Sequence, residues 1–328
     1  MRTWLIVAAI ALPVPVTGCA LHMHSTVTSG PTAAQLAGFW TEPVDLAQRD
    51  LFHGPGGVQD QPDPRDRFEF ISEDTSGASR GFDVRDSRGR EWSAKFGIEA
   101  QPEIAASRIL WAAGFRQLPT CYVPNWTLVR DGVPARQPAA RFRLKDRAKS
   151  AGPWAWNANP FVGTEEFGGL VVLMVIINNW DLKTSNNMVY DVQTGGRTEQ
   201  WFVVKDLGAS LGKTGATGAF LGRLHGTKND VDDYEREPFI ESVHGDRVMV
   251  HFNGAVYVPV LPGTIRVSHV RWICQRLDRL SDRQWHDVFR AAGYSGDVGD
   301  RYVRRLKQKV ADGLRLSTAP ATEILLSR

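Results

Sequence analysis

The chain is poor in cysteine, nearly balanced in charge and, past its first twenty or so residues, without a long apolar run. Cysteine occurs 3 times in 328 residues, too few for a disulfide scaffold or a cysteine-rich zinc module. The 39 basic residues nearly cancel against 36 acidic ones, leaving a net charge of +3. That balance gives no footing for nucleic-acid binding or for adhesion to an anionic membrane surface. The one basic cluster, Arg301, Arg304, Arg305, Lys307 and Lys309, reads as a solvated helix face. There is no internal repeat, no Gly-x-Ser-x-Gly and no candidate cysteine nucleophile, so hydrolase readings lack support. His225, His244, His251, His269 and His286 do not follow metal-ligand spacing, and His22 with His24 lacks a third ligand. What remains is ordinary globular composition, 42% apolar and 23% charged, enough for one large domain or two lobes sharing a cleft.

The amino terminus is the exception to the missing apolar run. Arg2 precedes an almost uncharged stretch over residues 4–16, and Val16, Thr17, Gly18 and Cys19 resemble a bacterial lipobox. The expectation is cleavage after residue 18, a diacylglycerol thioether on Cys19, and an exported chain anchored in the bacterial cell envelope. Ala20 offers no inner-membrane retention signal, which favours the outer membrane. Residues 170–177 are apolar throughout but far too short to span a bilayer. Cys121 and Cys274 read as two buried free thiols.

Residues 19–64 are rich in Ser, Thr, Gly, Pro and Asp and read as a tether leading into a partly ordered segment. Strand-like alternation then covers residues 68–71, 81–85 and 91–96. Pro102 suits the first helical position of a helix ending near Gly114. Residues 121–129 and 139–144 read as two more strands around a hairpin signal at Asp131 and Gly132. Residues 65–150 thus form a first lobe laid out β-β-β-α-β-β, and residues 151–328 a second. In the latter, Thr164 caps a buried helix reaching Ile177, two hairpins cover residues 187–204 and 242–260, and residues 264–316 are helical. Residues 208–226, rich in Gly and Thr, read as mobile.

Between that buried helix and the first of those hairpins lies Asp181-x-Lys183-x-x-Asn186, and after the hairpin comes Asp206-Leu207-Gly208. Phosphoryl transfer asks a protein for charged groups fixed around phosphate and metal rather than for covalent chemistry. Asp181 can orient an attacking hydroxyl and take its proton, and Lys183 can neutralise the moving phosphoryl group. Asn186 and Asp206 offer oxygen ligands suited to Mg²⁺, with Asn187 an alternative to Asn186. Lys95, late in the third strand, can pair with phosphates and be held by Glu103, or by Glu99 in its place. Gly77, Ser79 and Gly81 lie in a strand connection whose backbone N–H groups can approach phosphate.

In this order the motifs resemble those of the protein-kinase-like superfamily across about residues 65–315. The atypical branch, with HipA-type and phosphatidylinositol kinase-related members, is the most similar. The resemblance implies an α+β, two-lobed fold with a β-rich N-lobe, a mainly helical C-lobe, and ATP with Mg²⁺ or Mn²⁺ between them. It assigns Lys95 as the strand lysine, Glu103 as its helix partner, and Asp181 as the catalytic acid. Asn186 and Asp206 become the metal ligands, and Lys183 the catalytic-loop lysine. Asn179 and Trp180 replace His-Arg, Leu207 replaces the motif Phe, the glycine loop is irregular, and no Ala-Pro-Glu follows. The expected activity is transfer of the γ-phosphoryl group of ATP to a hydroxyl of a protein or small molecule. The alternatives are a lipid-anchored kinase-like module that binds nucleotide or a partner without turnover, and a purely structural lipoprotein.

Overall fold

The computed structural model describes residues 30–74, 80–145, 148–218, 222–224, 226–253 and 261–317. Cys19, Gly77 and Ser79 lie outside them, as do His22, His24, His225 and the end of the second hairpin. Among the described residues no helix is long and apolar enough to cross a membrane.

The stretch expected to be a tether carries more order than its composition suggests. Thr32 and Gln35 form a reciprocal capping box that starts α1 (Ala33–Phe39). Phe39, Leu46 and Leu51 are buried in the larger core.

The first lobe is a seven-stranded sheet in the order β4-β7-β3-β2-β1-β5-β6. Its strands are β1 (Arg67–Asp74), β2 (Gly81–Arg85), β3 (Glu91–Phe96), β4 (Thr120–Val123), β5 (Trp126–Arg130), β6 (Val133–Gln137) and β7 (Ala140–Leu144). All neighbours are antiparallel except β1 and β5. Residues 121–129, read as one strand, are broken at Pro124 and Asn125 into β4 at one edge and β5 next to the other edge. The hairpin at Asp131 and Gly132 forms with positive φ at both and joins β5 to β6, a strand missing from the expected layout. Alternate residues of these strands, Phe68, Phe82, Trp92, Trp126 and Phe142, fill one separate apolar core.

Helix α2 (Ala100–Ala112) starts two residues before Pro102, which occupies the third helical position, where its missing N–H has no intrahelical role. Its apolar residues Ile104, Ile109 and Leu110 join the larger core rather than the sheet's own. That core is built around α3 (Glu165–Ile176), whose N-cap Thr164 accepts from the Phe167 N–H at 3.2 Å. Every residue of α3 from Phe167 onward is buried, as expected for a helix apolar on all sides. Helices α5 (Val267–Asp278) and α7 (Gly296–Leu314) pack around it, and α6 (Asp282–Ala291) adjoins α2.

The hand-over between lobes falls on β8 (Ala148–Gly152), which pairs with β9 (Asn187–Thr194), itself paired with β10 (Arg197–Val204). A short helix α4 (Val231–Arg236), the pair β11 (Ala216–Gly218) and β12 (Gly222–Leu224), and the hairpin β13 (Ile240–His244) and β14 (Arg247–Val250) complete the C-lobe. The protein thus has the expected α+β plan, with a β-rich first lobe and a mainly helical second. The basic face of α7 is a correction in part. Arg301 and Lys307 are ion-paired on the surface, but Lys309 is fully buried.

Candidate active site in the cleft between the lobes

Alternation along β3 puts Trp92 and Ala94 into the sheet's core and turns Ser93 and Lys95 to the other face. Lys95 lies in register between Gly81 on β2 and Arg141 on β7. Its ammonium is 3.2 Å from Glu99 Oε2 and 3.6 Å from Asp206 Oδ2. Burial works against the charge, but Asp206, then Glu103 and Glu99, outweigh it and raise the Lys95 pKa above its ordinary value.

Glu103 is not the residue that grips Lys95. Gly97, at φ +101°, turns the chain from β3 into α2 and sets Glu99 at the junction, four residues after Lys95. One helical turn later Glu103 faces β7, where Arg141 Nε lies 3.0 Å away and Arg143 pairs with the same oxygen. Glu103 therefore contributes field rather than contact. Glu99 also holds Lys228. Arg143 donates to the Lys205 carbonyl at 2.6 Å, tying β7 to the strand end that carries Asp206.

The second half of the site hangs from α3. Beyond its end Asn178 takes φ +54°, a left-handed turn that releases the chain into the loop. The Asp181 N–H donates to Asn179 Oδ1 at 3.3 Å, and Lys183 Nζ donates to Asp181 Oδ2 at 3.0 Å. Asn186 Nδ2 donates to the Asp181 carbonyl at 2.8 Å, committing the amide nitrogen and leaving its oxygen as the ligand-capable atom. The Asn186 carbonyl in turn accepts from the backbone of Lys205 and Asp206, at 2.9 and 3.2 Å. Both motifs are thereby fixed on one scaffold. Asn187, by contrast, is fully buried and donates to the Trp154 carbonyl at 3.1 Å, away from the cleft.

A cleft of about 430 Å³ opens between these halves, lined by Lys95, Asp181, Lys183, Asn186 and Asp206 together with Arg141, Arg143 and Lys205. Its size falls in the range of small-molecule sites. Five basic side chains, Lys95, Arg141, Arg143, Lys183 and Lys205, face five acidic ones, Asp74, Glu99, Glu103, Asp181 and Asp206, so the lining is balanced in charge. Burial, followed by the nearby Arg143, pushes the Lys205 ammonium below its ordinary value. Asp206 Oδ1 accepts from the Gly208 N–H at 3.3 Å, and Asp181 Oδ1 is buried without a hydrogen-bond partner. Among the described residues no three His, Cys, Asp or Glu side chains converge as a metal site. One carboxylate and one amide oxygen nonetheless fit Mg²⁺, which commonly completes its shell with substrate phosphates and water.

Arg141, Arg143 and Lys205 escaped the reading of the sequence. The signal was present: arginines two apart in a strand share a face, opposite Ala140, Phe142 and Leu144. Gly81 is an ordinary strand residue whose side-chain position would sit 2.9 Å from the Ala94 carbonyl oxygen.

No family model and no curated protein matches the chain. Among solved structures it is similar to the crystal structure of a Helicobacter pylori proinflammatory kinase, CtkA. The TM-score is 0.42 and the identity 11%, over 76% of this chain and 94% of that one. A likeness this distant says nothing of activity or substrate.

Proposed function

We propose that the chain is an ATP- and Mg²⁺-dependent phosphotransferase acting on a hydroxyl of a protein or small molecule. The observation that carries the reading is the Lys95 ammonium, 3.2 Å from Glu99 and 3.6 Å from Asp206, in a cleft shared with Asp181 and Asn186. Lys95 binds the α- and β-phosphates, with Glu99 fixing its direction. Asp181 accepts the proton of the attacking hydroxyl as its oxygen bonds to the γ-phosphorus and ADP leaves. Lys183, already on Asp181 Oδ2, balances charge on the transferring group. Asn186 and Asp206 would hold the metal, which would neutralise phosphate charge. The chain acts in the cell envelope, lipid-anchored at Cys19.

The soluble mature chain, lacking the anchor, should melt higher with Mg-ATP, by about 2.7 kcal/mol of stabilisation at a hundredfold excess over Kd. Asp206→Asn should remove the Mg²⁺-dependent part. Label from the γ-phosphate should reach an acceptor in a broad panel, and Asp181→Ala should slow transfer by about 10²-fold or more while nucleotide still binds. Nucleotide binding without transfer would convert the reading to a non-catalytic module. No nucleotide-dependent shift would end both. Loss of labelled fatty-acid incorporation in Cys19→Ser tests the anchor separately.

A further inference from the structure

We propose that Lys309 is a positioning residue for the cleft. From α7 it ties, through Asn178, the loop carrying Asp181 to the segment that follows Asp206. Lys309 is fully buried, and its two hydrogen bonds go to uncharged acceptors, the Ile176 carbonyl at 3.0 Å and Asn178 Oδ1 at 2.9 Å. The ammonium also lies 4.4 Å from the centre of the Tyr234 ring. Burial, then the nearby Arg305, pushes its pKa well below the ordinary lysine value, and the charge of Glu237 offsets only part. Glu237 is itself engaged, accepting from the N–H and hydroxyl of Thr214 at 2.9 and 2.6 Å. An apolar side chain of similar length would fill this place at less cost to stability.

What an apolar side chain could not do is hold the end of α3. The last carbonyls of a helix lack intrahelical partners and carry partial negative charge. Lys309 and the Tyr234 hydroxyl, the latter at 2.8 Å, share the Ile176 carbonyl. The Ile177 carbonyl accepts from the Leu211 N–H at 2.9 Å. Asn178 joins the two segments: its Oδ1 accepts from Lys309, and its Nδ2 donates to the Gly212 carbonyl at 2.7 Å. It stands three residues before Asp181, and Gly212 stands six after Asp206. Tyr302, two turns before Lys309 on the same side of α7, donates to the Leu211 carbonyl at 3.0 Å. Asn178, at φ +54°, and Leu211, at φ +59°, are both left-handed, so each segment turns where α7 grips it.

The Asp181 loop and the chain beyond Asp206 are thus both fastened to one helix. A displacement of about 1 Å at a reacting group can cost about 10²-fold in rate. Lys95 and Glu99, which hold nucleotide, belong to other elements, so loss of the brace should touch turnover more than nucleotide binding. That consequence rests on the phosphotransferase reading; the brace itself does not.

Hydrogen exchange of the soluble chain, followed by mass spectrometry, tests the brace, and γ-phosphate transfer tests its consequence. In Lys309→Met and in Asn178→Gly, peptides covering residues 177–181 and 209–213 should exchange about tenfold faster, with β3 unchanged. Glycine accepts the left-handed turn, so Asn178→Gly removes both side-chain bonds without strain. In both variants kcat should fall about tenfold to a hundredfold, with KM for ATP within about threefold of the parent. Because the two residues act as one unit, the double variant should lose no more than the worse single. General loosening would instead multiply the losses. If Lys309→Met fails to fold, Asn178→Gly decides. Unchanged exchange in both peptides overturns the brace. Faster exchange with an unchanged kcat, or with multiplying losses, overturns the positioning role. A parent chain that transfers no phosphate ends the phosphotransferase reading and the positioning role with it, while exchange still decides the brace.

Discussion

Gly208 links the Asp206 motif to the lysine it faces, and replacing it makes a quantitative test. Its backbone is not left-handed, so Gly208→Ala adds no conformational strain. The added methyl would instead sit 2.6 Å from Glu99 Cβ and 3.1 Å from its Cγ. Ordinary carbon contacts lie near 3.5–4.0 Å, so one partner must retreat by about 1 Å. Overpacking of this size costs about 1–3 kcal/mol. The retreating group is the first turn of α2, which carries the Lys95 ion pair, so nucleotide affinity should fall with stability. The nearest atom is a Cβ, which every residue except glycine possesses. Gly208→Ala/Glu99→Ala should therefore stay as unstable as the single Gly208→Ala, while Gly208→Ala/Glu99→Gly should recover much of the loss. Urea denaturation of the four proteins, with Mg-ATP thermal shifts alongside, reads both effects. A Gly208→Ala protein with an unchanged midpoint and unchanged nucleotide shift would refute the reasoning, as would full rescue by Glu99→Ala.

Three further outcomes are expected. Glu103→Ala strands Arg141 and Arg143, so denaturation should show a loss of about 3–5 kcal/mol, the scale of an orphaned buried ion. Burial pushes the thiols of Cys121 and Cys274 up to about 12, so neither should be alkylated at pH 8 until denaturant is added. Burial also holds the Lys309 ammonium well below the ordinary lysine range, so the unfolded chain binds its proton more tightly than the folded one. Stability should then fall as pH drops below the unfolded value of about 10.4, by up to about 1.4 kcal/mol per unit, until the folded value is reached. Lys309→Met should flatten that slope in denaturation curves taken between pH 8 and 10.

The features legible in the sequence were those with strong local signals. Thr164 and the uninterrupted apolar run behind it marked α3, and the loop after it could only be the continuation of a buried helix. Tertiary placement was harder to read. Glu99 and Glu103 are one turn apart and chemically alike, and only the turn at Gly97 decides which one meets Lys95. β6 escaped because all but one of its residues are exposed, so it has no apolar alternation to betray it. α1 was hidden by its polar surroundings, although the Thr32 and Gln35 capping pair was there to be read.

The two apolar cores divide the site unevenly. Lys95 rides on the aromatic sheet, whereas Glu99, through α2, belongs with the mass around α3. Any rocking of the sheet on the rest of the molecule must work against that 3.2 Å contact together with the Arg141–Glu103 pair and the Arg143 hydrogen bond to the Lys205 carbonyl, which cross the same seam. A fluorescent or spin-label pair straddling β3 and α2 would thus register lobe opening directly, ahead of any loss of secondary structure.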